Sequence, residues 1–137
     1  MITDQNYFDH DADIGIIGRG STLEQSFEQA AEAMFALMGD LSRISAQKSL
    51  AFQFEEADPE LALVTWLNLL IANAQANHLI LCKFKVTRNG VHWSAHAQGE
   101  VWHEDIERGI DVKGATLTML SVKQIEEQWE AQCVVDV

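Results

Sequence analysis

Two acidic side chains and an imidazole fall within the segment His10-Asp11-Ala12-Asp13-Ile14-Gly15, and the apolar pair Ile16-Ile17 follows at once. At the other end, Cys133-Val134-Val135-Asp136-Val137 is an apolar, strand-like run whose penultimate residue is an aspartate. Carboxylates are ligands for hard divalent cations, and calcium also accepts main-chain oxygens and water. Asp13 and Asp136 are the candidate ligands because each adjoins apolar strand sequence. A carboxylate held there is well positioned and costly to leave without a partner. Val137 adds the chain-terminal carboxylate one residue away. Strand alternation sets Asp136 opposite the face of Trp129, Cys133 and Val135, so it need not enter the core. On residue types alone, two solvated strand-end aspartates are the commoner arrangement, and a shared ion is the sharper alternative.

Other chemistry finds less support. His10, His92, His96 and His103 invite a zinc reading, but four residues along a strand span about 13 Å, too far for one ion. Ser94 lies between His92 and His96, yet strand neighbours point to opposite faces, and no Gly-x-Ser-x-Gly elbow exists. Cys82 and Cys133 sit inside apolar runs and read as packed thiols. Gly18-Arg19-Gly20-Ser21 is too short for a phosphate loop and reads as a turn and helix cap.

The elements that must position the two aspartates follow from pattern. Residues 6 to 18 are extended, as one kinked strand or two short ones. Ser21 and Glu24 form a capping box for a helix over residues 22 to 38, with Leu23, Phe27, Ala30, Ala31, Met34 and Met38 on its apolar face and Gly39 as its stop. Residues 48 to 56 alternate as a strand, with Leu50, Phe52 and Phe54 on one side. Asp58-Pro59 opens a second helix that is apolar on several faces, hence central, and Asn77 ends it. Strands Leu79–Val86 and Val91–Gly99 flank Asn89-Gly90, the dipeptide of a type I′ hairpin, with Val91 inward. Residues 100 to 110 form an acidic loop. Asp111–Leu120 is a weak strand broken near Gly114, Val122–Ile125 continues it, and Trp129–Val135 is the last strand. The expected class is α+β: two helices packed on a mostly antiparallel sheet of about six or seven strands, as one domain over residues 1–137.

The net charge of −12, from 21 acidic and 9 basic residues, repels a phosphate backbone. No basic cluster with interleaved aromatics offsets it, so direct nucleic-acid contact is not expected. Acidity suits a cation or a partner with a basic surface. No apolar run approaches the roughly 20 residues of a membrane span. Met1–Asn6 lacks the basic and apolar regions of a signal peptide, so a cytoplasmic location is expected.

Taken in order, His10-x-Ala12-Asp13-Ile14-Gly15, Gly20-x-x-Leu23-Glu24-x-x-Phe27 and Ala33-Met34-Phe35-x-Leu37-Met38-x-Asp40 resemble the archease family. Trp66-Leu67-Asn68, Gly99-Glu100, Val112-Lys113, Trp129-x-Ala131 and Asp136-Val137 extend the resemblance along nearly the whole chain. The resemblance implies a small cytosolic α+β protein without an established reaction of its own. It implies an accessory role to an RtcB-family RNA ligase of tRNA splicing and RNA repair, which uses GTP and manganese. The accessory protein promotes guanylylation of the ligase histidine and multiple turnover. It further implies a metal site, commonly assigned calcium with manganese as the alternative, at the positions of Asp13, Asp136 and Val137. A metal-stabilised, chaperone-like module and a metal-dependent phosphoester hydrolase with His10 as base are the rival readings. Three departures stand out. Asp11 replaces the family's usual Thr, as a further ligand or a solvated charge. Asp111-Val112-Lys113-Gly114-Ala115-Thr116-Leu117-Thr118 replaces the usual Glu-Val-Lys-Ala-x-Thr-Tyr-His, so the Tyr-His pair is absent; Arg108-Gly109 stands near the place of a further His.

Overall fold

The computed structural model describes residues 5–137, so the part of the signal-peptide reading that rests on Met1–Asp4 lies outside the described residues. The N-terminal extended segment is a hairpin. Strand β1 (Tyr7–His10) pairs antiparallel with β2 (Asp13–Gly20), and Asp11 and Ala12 form the turn between them. Asp11 has φ 53°, in the left-handed region that Asp enters far more readily than a β-branched residue. Asp11 thus has a backbone role, with its side chain 93% exposed.

Helix α1 (Leu23–Met38) begins one residue later than the Ser21–Glu24 box implies. Thr22 is the cap: its hydroxyl accepts the Gln25 N–H at 3.0 Å, and Gln25 Oε1 accepts from the Ser21 N–H at 2.6 Å. Two adjacent hydroxyl residues and two adjacent acceptors allow either frame; the extended backbone at Thr22 selects the second. A 3-10 turn at Leu41–Arg43 follows, capped by Asp40. Helix α2 (Pro59–Ala76) starts as expected, with Asp58 Oδ1 accepting from the Glu60 N–H at 2.8 Å, and it ends at Asn77. It is the central helix. Leu63, Trp66, Leu67 and Leu70 are fully buried, and Trp66 Nε1 donates to the Phe27 carbonyl at 2.9 Å.

The α+β class holds, but among the described residues the strands divide between two sheets and number eight. In the first, β1, β2, β8 (Gln128–Asp136) and β6 (Gly114–Ala115) lie in that order, and β7 (Ser121–Ile125) also pairs with β8. In the second, the order is β3 (Lys48–Glu55), β5 (His92–Val101) and β4 (Leu79–Asn89). All described pairings are antiparallel. The extra strands come from the N-terminal hairpin and from residues 111 to 125. There the expected continuous strand shrinks to β6, then turns at Met119 (φ 55°) before β7.

The β4–β5 loop is Gly90-Val91, one residue beyond the Asn89-Gly90 frame, because Asn89 still pairs with His92. Gly90 has φ 65° and Val91 is not left-handed, which suits a type II′ turn with glycine first rather than type I′. Val91 is 42% exposed instead of inward. The two sheets and both helices share one apolar interior, in which Phe27 and Phe54 stack on Trp93 at 5.2 and 5.7 Å.

Both thiols are free, with Cys133 buried in β8 and Cys82 half-buried in β4. Burial pushes the Cys133 thiol up to about 12 from its ordinary 9.0, and burial raises Cys82 as well. A thiol protonated in the folded state and ionised in the unfolded one makes stability fall as pH rises. The fall begins near 9, where the unfolded thiol ionises, and ends near 12, where the folded one does. Chemical denaturation at pH 8 and pH 10.5 should show this loss, and Cys133→Ala should flatten the alkaline limb. A limb of equal slope in that variant would assign it elsewhere.

Candidate metal centre

The register of the first sheet brings the two ends of the sequence together. His10 pairs with Asp13, and Ile14 pairs with Val135, so the next step along β2 and β8 sets Asp13 beside Asp136. On the far side of β8, Asp136 pairs with Gly114. His10, Asp13, Asp136 and Gly114 therefore form one row across four strands at the end of the sheet. Ile16, Cys133 and Val135 are fully buried toward the helices, which puts Asp13 and Asp136 on the opposite face by alternation. Asp136 is exposed and Asp13 half-buried.

Val137 closes the arrangement. Its N–H donates to Asp13 Oδ1 at 3.3 Å, a bond between residues 124 apart in sequence. The Lys113 N–H holds the Asp136 carbonyl at 2.8 Å. Asp13, Asp136 and Val137, the three positions named by the family resemblance, thus lie side by side. The main chain of Lys113 and Gly114 was not legible as part of this site; its only signal was the Val112-Lys113 match. His10 lies in the row, but its Nδ1 faces Asp11 Oδ2 at 3.8 Å instead of Asp13. Asp40 is occupied elsewhere: Ser42 donates to it from backbone and hydroxyl at 3.1 and 2.7 Å, which holds its carboxyl below the usual range. His92 and His103 pair with Glu55 and Glu100 at 3.0 and 3.1 Å on the surface.

Directly opposed residues on antiparallel strands have Cβ atoms about 5 Å apart, and like charges there repel. Among the described residues, no Lys, Arg or His stands within ion-pair distance of Asp13 or Asp136. Two opposed carboxylates without a counter-charge are the electrostatic complement of a cation. Among the described residues, no three His, Cys, Asp or Glu side chains cluster in a way that could hold a metal. A site built of side chains alone, as zinc requires, is therefore not formed. Two carboxylates supplemented by main-chain oxygens and water suit calcium, which accepts such ligands in flexible geometry.

A separate pocket of about 420 Å³ lies between the C-terminal ends of α1 and α2 and the loop after β5, lined by Met38, Ile71, His78, Trp102 and Arg108 among others. It includes neither aspartate. The carboxylate row is instead an open feature on a sheet end, which another surface can reach. No described helix is long and apolar enough to cross a membrane.

Fold and site together define a small α+β domain whose two ends meet in an accessible carboxylate pair. The chain matches the model of the Archease protein family (MTH1598/TM1083) over residues 6–137. It is 34% identical over 134 residues to protein archease of Sulfolobus acidocaldarius, with 96% of each chain covered. It is 30% identical over 137 residues to protein archease of Methanosarcina acetivorans, covering 96% of this chain and 94% of that one. The solution structure of Methanobacterium thermoautotrophicum protein 1598 superposes with a TM-score of 0.87 at 31% identity, covering 96% of this chain and 97% of the other. A Thermotoga maritima archease, described as a possible chaperone, shares the fold with a TM-score of 0.65 at 16% identity, covering 95% and 94%. This chain belongs to the archease family.

Proposed function

We propose that this protein is a cytoplasmic accessory factor for an RtcB-type RNA ligase, promoting ligase guanylylation and multiple turnover without catalysing a reaction itself. It does so with a divalent cation, calcium or secondarily manganese, held by Asp13, Asp136 and main-chain oxygen of Val137. The observation that carries the reading is the Val137–Asp13 hydrogen bond. It joins two of the three positions at which the family resemblance implies metal ligands. A bound cation would supply positive charge that can offset phosphate charge during nucleotidyl transfer. The chain's own part is to fix two carboxylates on an exposed sheet end. Its net charge of −12 favours docking on a basic protein surface over direct RNA contact.

The test is turnover by such a ligase with Asp13→Ala and Asp136→Ala proteins. Both should fold and lose stimulation of multiple turnover. Full stimulation by both folded variants would exclude the metal role.

A second reading has one observation in its favour. The same Asp13–Val137 bond pins the end of β8 to β2. A metal there could act only as a staple in a chaperone-like module, in line with the description of the Thermotoga maritima relative. Calcium chelation that lowers the melting temperature but leaves ligase stimulation intact would select this reading.

A further inference from the structure

The two edges of the three-stranded sheet are protected unequally. On the β4 edge the register shifts between Leu81 and Lys83, and the Val86 N–H is taken by Glu28 Oε2 of α1 at 3.0 Å. A bulge and a covering side chain are both devices that stop a foreign strand from adding. β3 has neither. It runs from Lys48 to Glu55 in unbroken register with β5, and among the described residues no strand lies on its other side. It contains no proline. Leu50, Phe52 and Phe54 remain only half-buried on its inner face, while Ser49, Ala51, Gln53 and Glu55 are exposed.

The polarity of the open edge follows from one bond. The Glu56 N–H donates to the Val91 carbonyl at 2.9 Å, so that rung is hydrogen-bonded. Rungs in an antiparallel ladder alternate between bonded and non-bonded. Phe54, Phe52 and Leu50 therefore bond toward β5. Ser49, Ala51, Gln53 and Glu55 turn their N–H and C=O groups to the open side.

We propose that β3 is a dimerisation edge, pairing antiparallel with β3 of a second copy of this chain about a twofold axis at Phe52. The twofold keeps inner faces inward only if residues pair with partners of the same parity. Centred on Phe52, the register sets Leu50 against the partner's Phe54, Ala51 against the partner's Gln53 and Lys48 against the partner's Glu56. The two Phe52 rings meet on a non-bonded rung, where Cα atoms approach to about 4.5 Å and side chains are closest. The half-exposed apolar row of each copy then completes the other's burial. Centring on Ala51 instead would place Lys48 against the partner's Phe54, an unpaired charge on an aromatic row. Charge complementarity, satisfied twice by symmetry, selects the first register and marks the strand as its own complement.

Sedimentation equilibrium of the full chain at 0.15 M salt, where net-charge repulsion is screened beyond about 8 Å, tests this. The wild type should dimerise with increasing concentration. Ala51→Pro deletes an open-edge N–H without touching a β3–β5 bond and should give a monomer. Lys48→Glu, a surface change that leaves the fold intact, should weaken the dimer by about tenfold, and adding Glu56→Lys should restore it. A wild type that stays monomeric, or a dimer as tight in Lys48→Glu as in wild type, would overturn the proposal even if Ala51→Pro failed to fold.

Discussion

Millimolar calcium should raise the melting temperature of the wild-type chain, and Asp13→Asn and Asp136→Asn should each abolish that rise. Asparagine keeps the shape of the side chain and, at position 13, an acceptor for the Val137 N–H. What it removes is charge. A ligand that binds only the folded state at 100 times its dissociation constant adds about 2.7 kcal/mol. For a domain of this size that corresponds to roughly 10 °C. The sign reverses without metal. The two carboxylates oppose one another across β2 and β8 with no cationic side chain within ion-pair distance, among the described residues. Neutralising either relieves repulsion, so in chelator both variants should melt at or slightly above wild type. Thermal melts with calcium, with manganese and with chelator decide the matter. A wild type indifferent to both metals, or variants that keep the full gain, would remove the cation from this site.

The sequence made some of this legible and hid the rest for identifiable reasons. α2 was plain because Asp58-Pro59 and Asn77 bracket a run too apolar to be anything but central. The Asp13–Asp136 encounter was readable only as two aspartates at strand ends. What brings them together is the register of β2 against β8, a pairing of strands more than a hundred residues apart in the chain that no local pattern encodes. The division into two sheets was invisible for the same reason. Frame errors arose where neighbouring residues offer equivalent chemistry. Ser21 and Thr22 can both cap a helix, and Asn89-Gly90 and Gly90-Val91 can both turn a hairpin. In each case tertiary fit chose the frame. Residue type alone makes Asp11 a spare charge or a ligand, because side-chain type says nothing about φ; its left-handed backbone supplies a simpler reason for its presence.

A large loss of stability should come from a single methyl group at Gly18. This glycine lies on β2 where α1 crosses it, and an added Cβ would stand 2.2 Å from both the Ser26 carbonyl oxygen and the Ala30 nitrogen. Both are helix backbone, so no rotamer change relieves the clash. α1 would have to lift from the sheet, and with it Phe27, Ala30, Ala31 and Met34, all fully buried. Overpacking of this kind exceeds the usual 1–3 kcal/mol, and about 4 kcal/mol is expected for Gly18→Ala, a large share of a typical 5–15 kcal/mol. Gly114 is the control, in the carboxylate row itself. A Cβ there would lie 3.3 Å from Asn68 Oδ1, a side-chain atom that accepts from the Ala115 N–H at 2.8 Å. That amide can give by a few tenths of an ångström, so Gly114→Ala should change stability by less than about 1 kcal/mol. Urea denaturation of the two variants separates the cases: equal stabilities would mean that α1 is not seated on β2 through Gly18, and that the sheet end carrying Asp13 and Asp136 is positioned by other contacts.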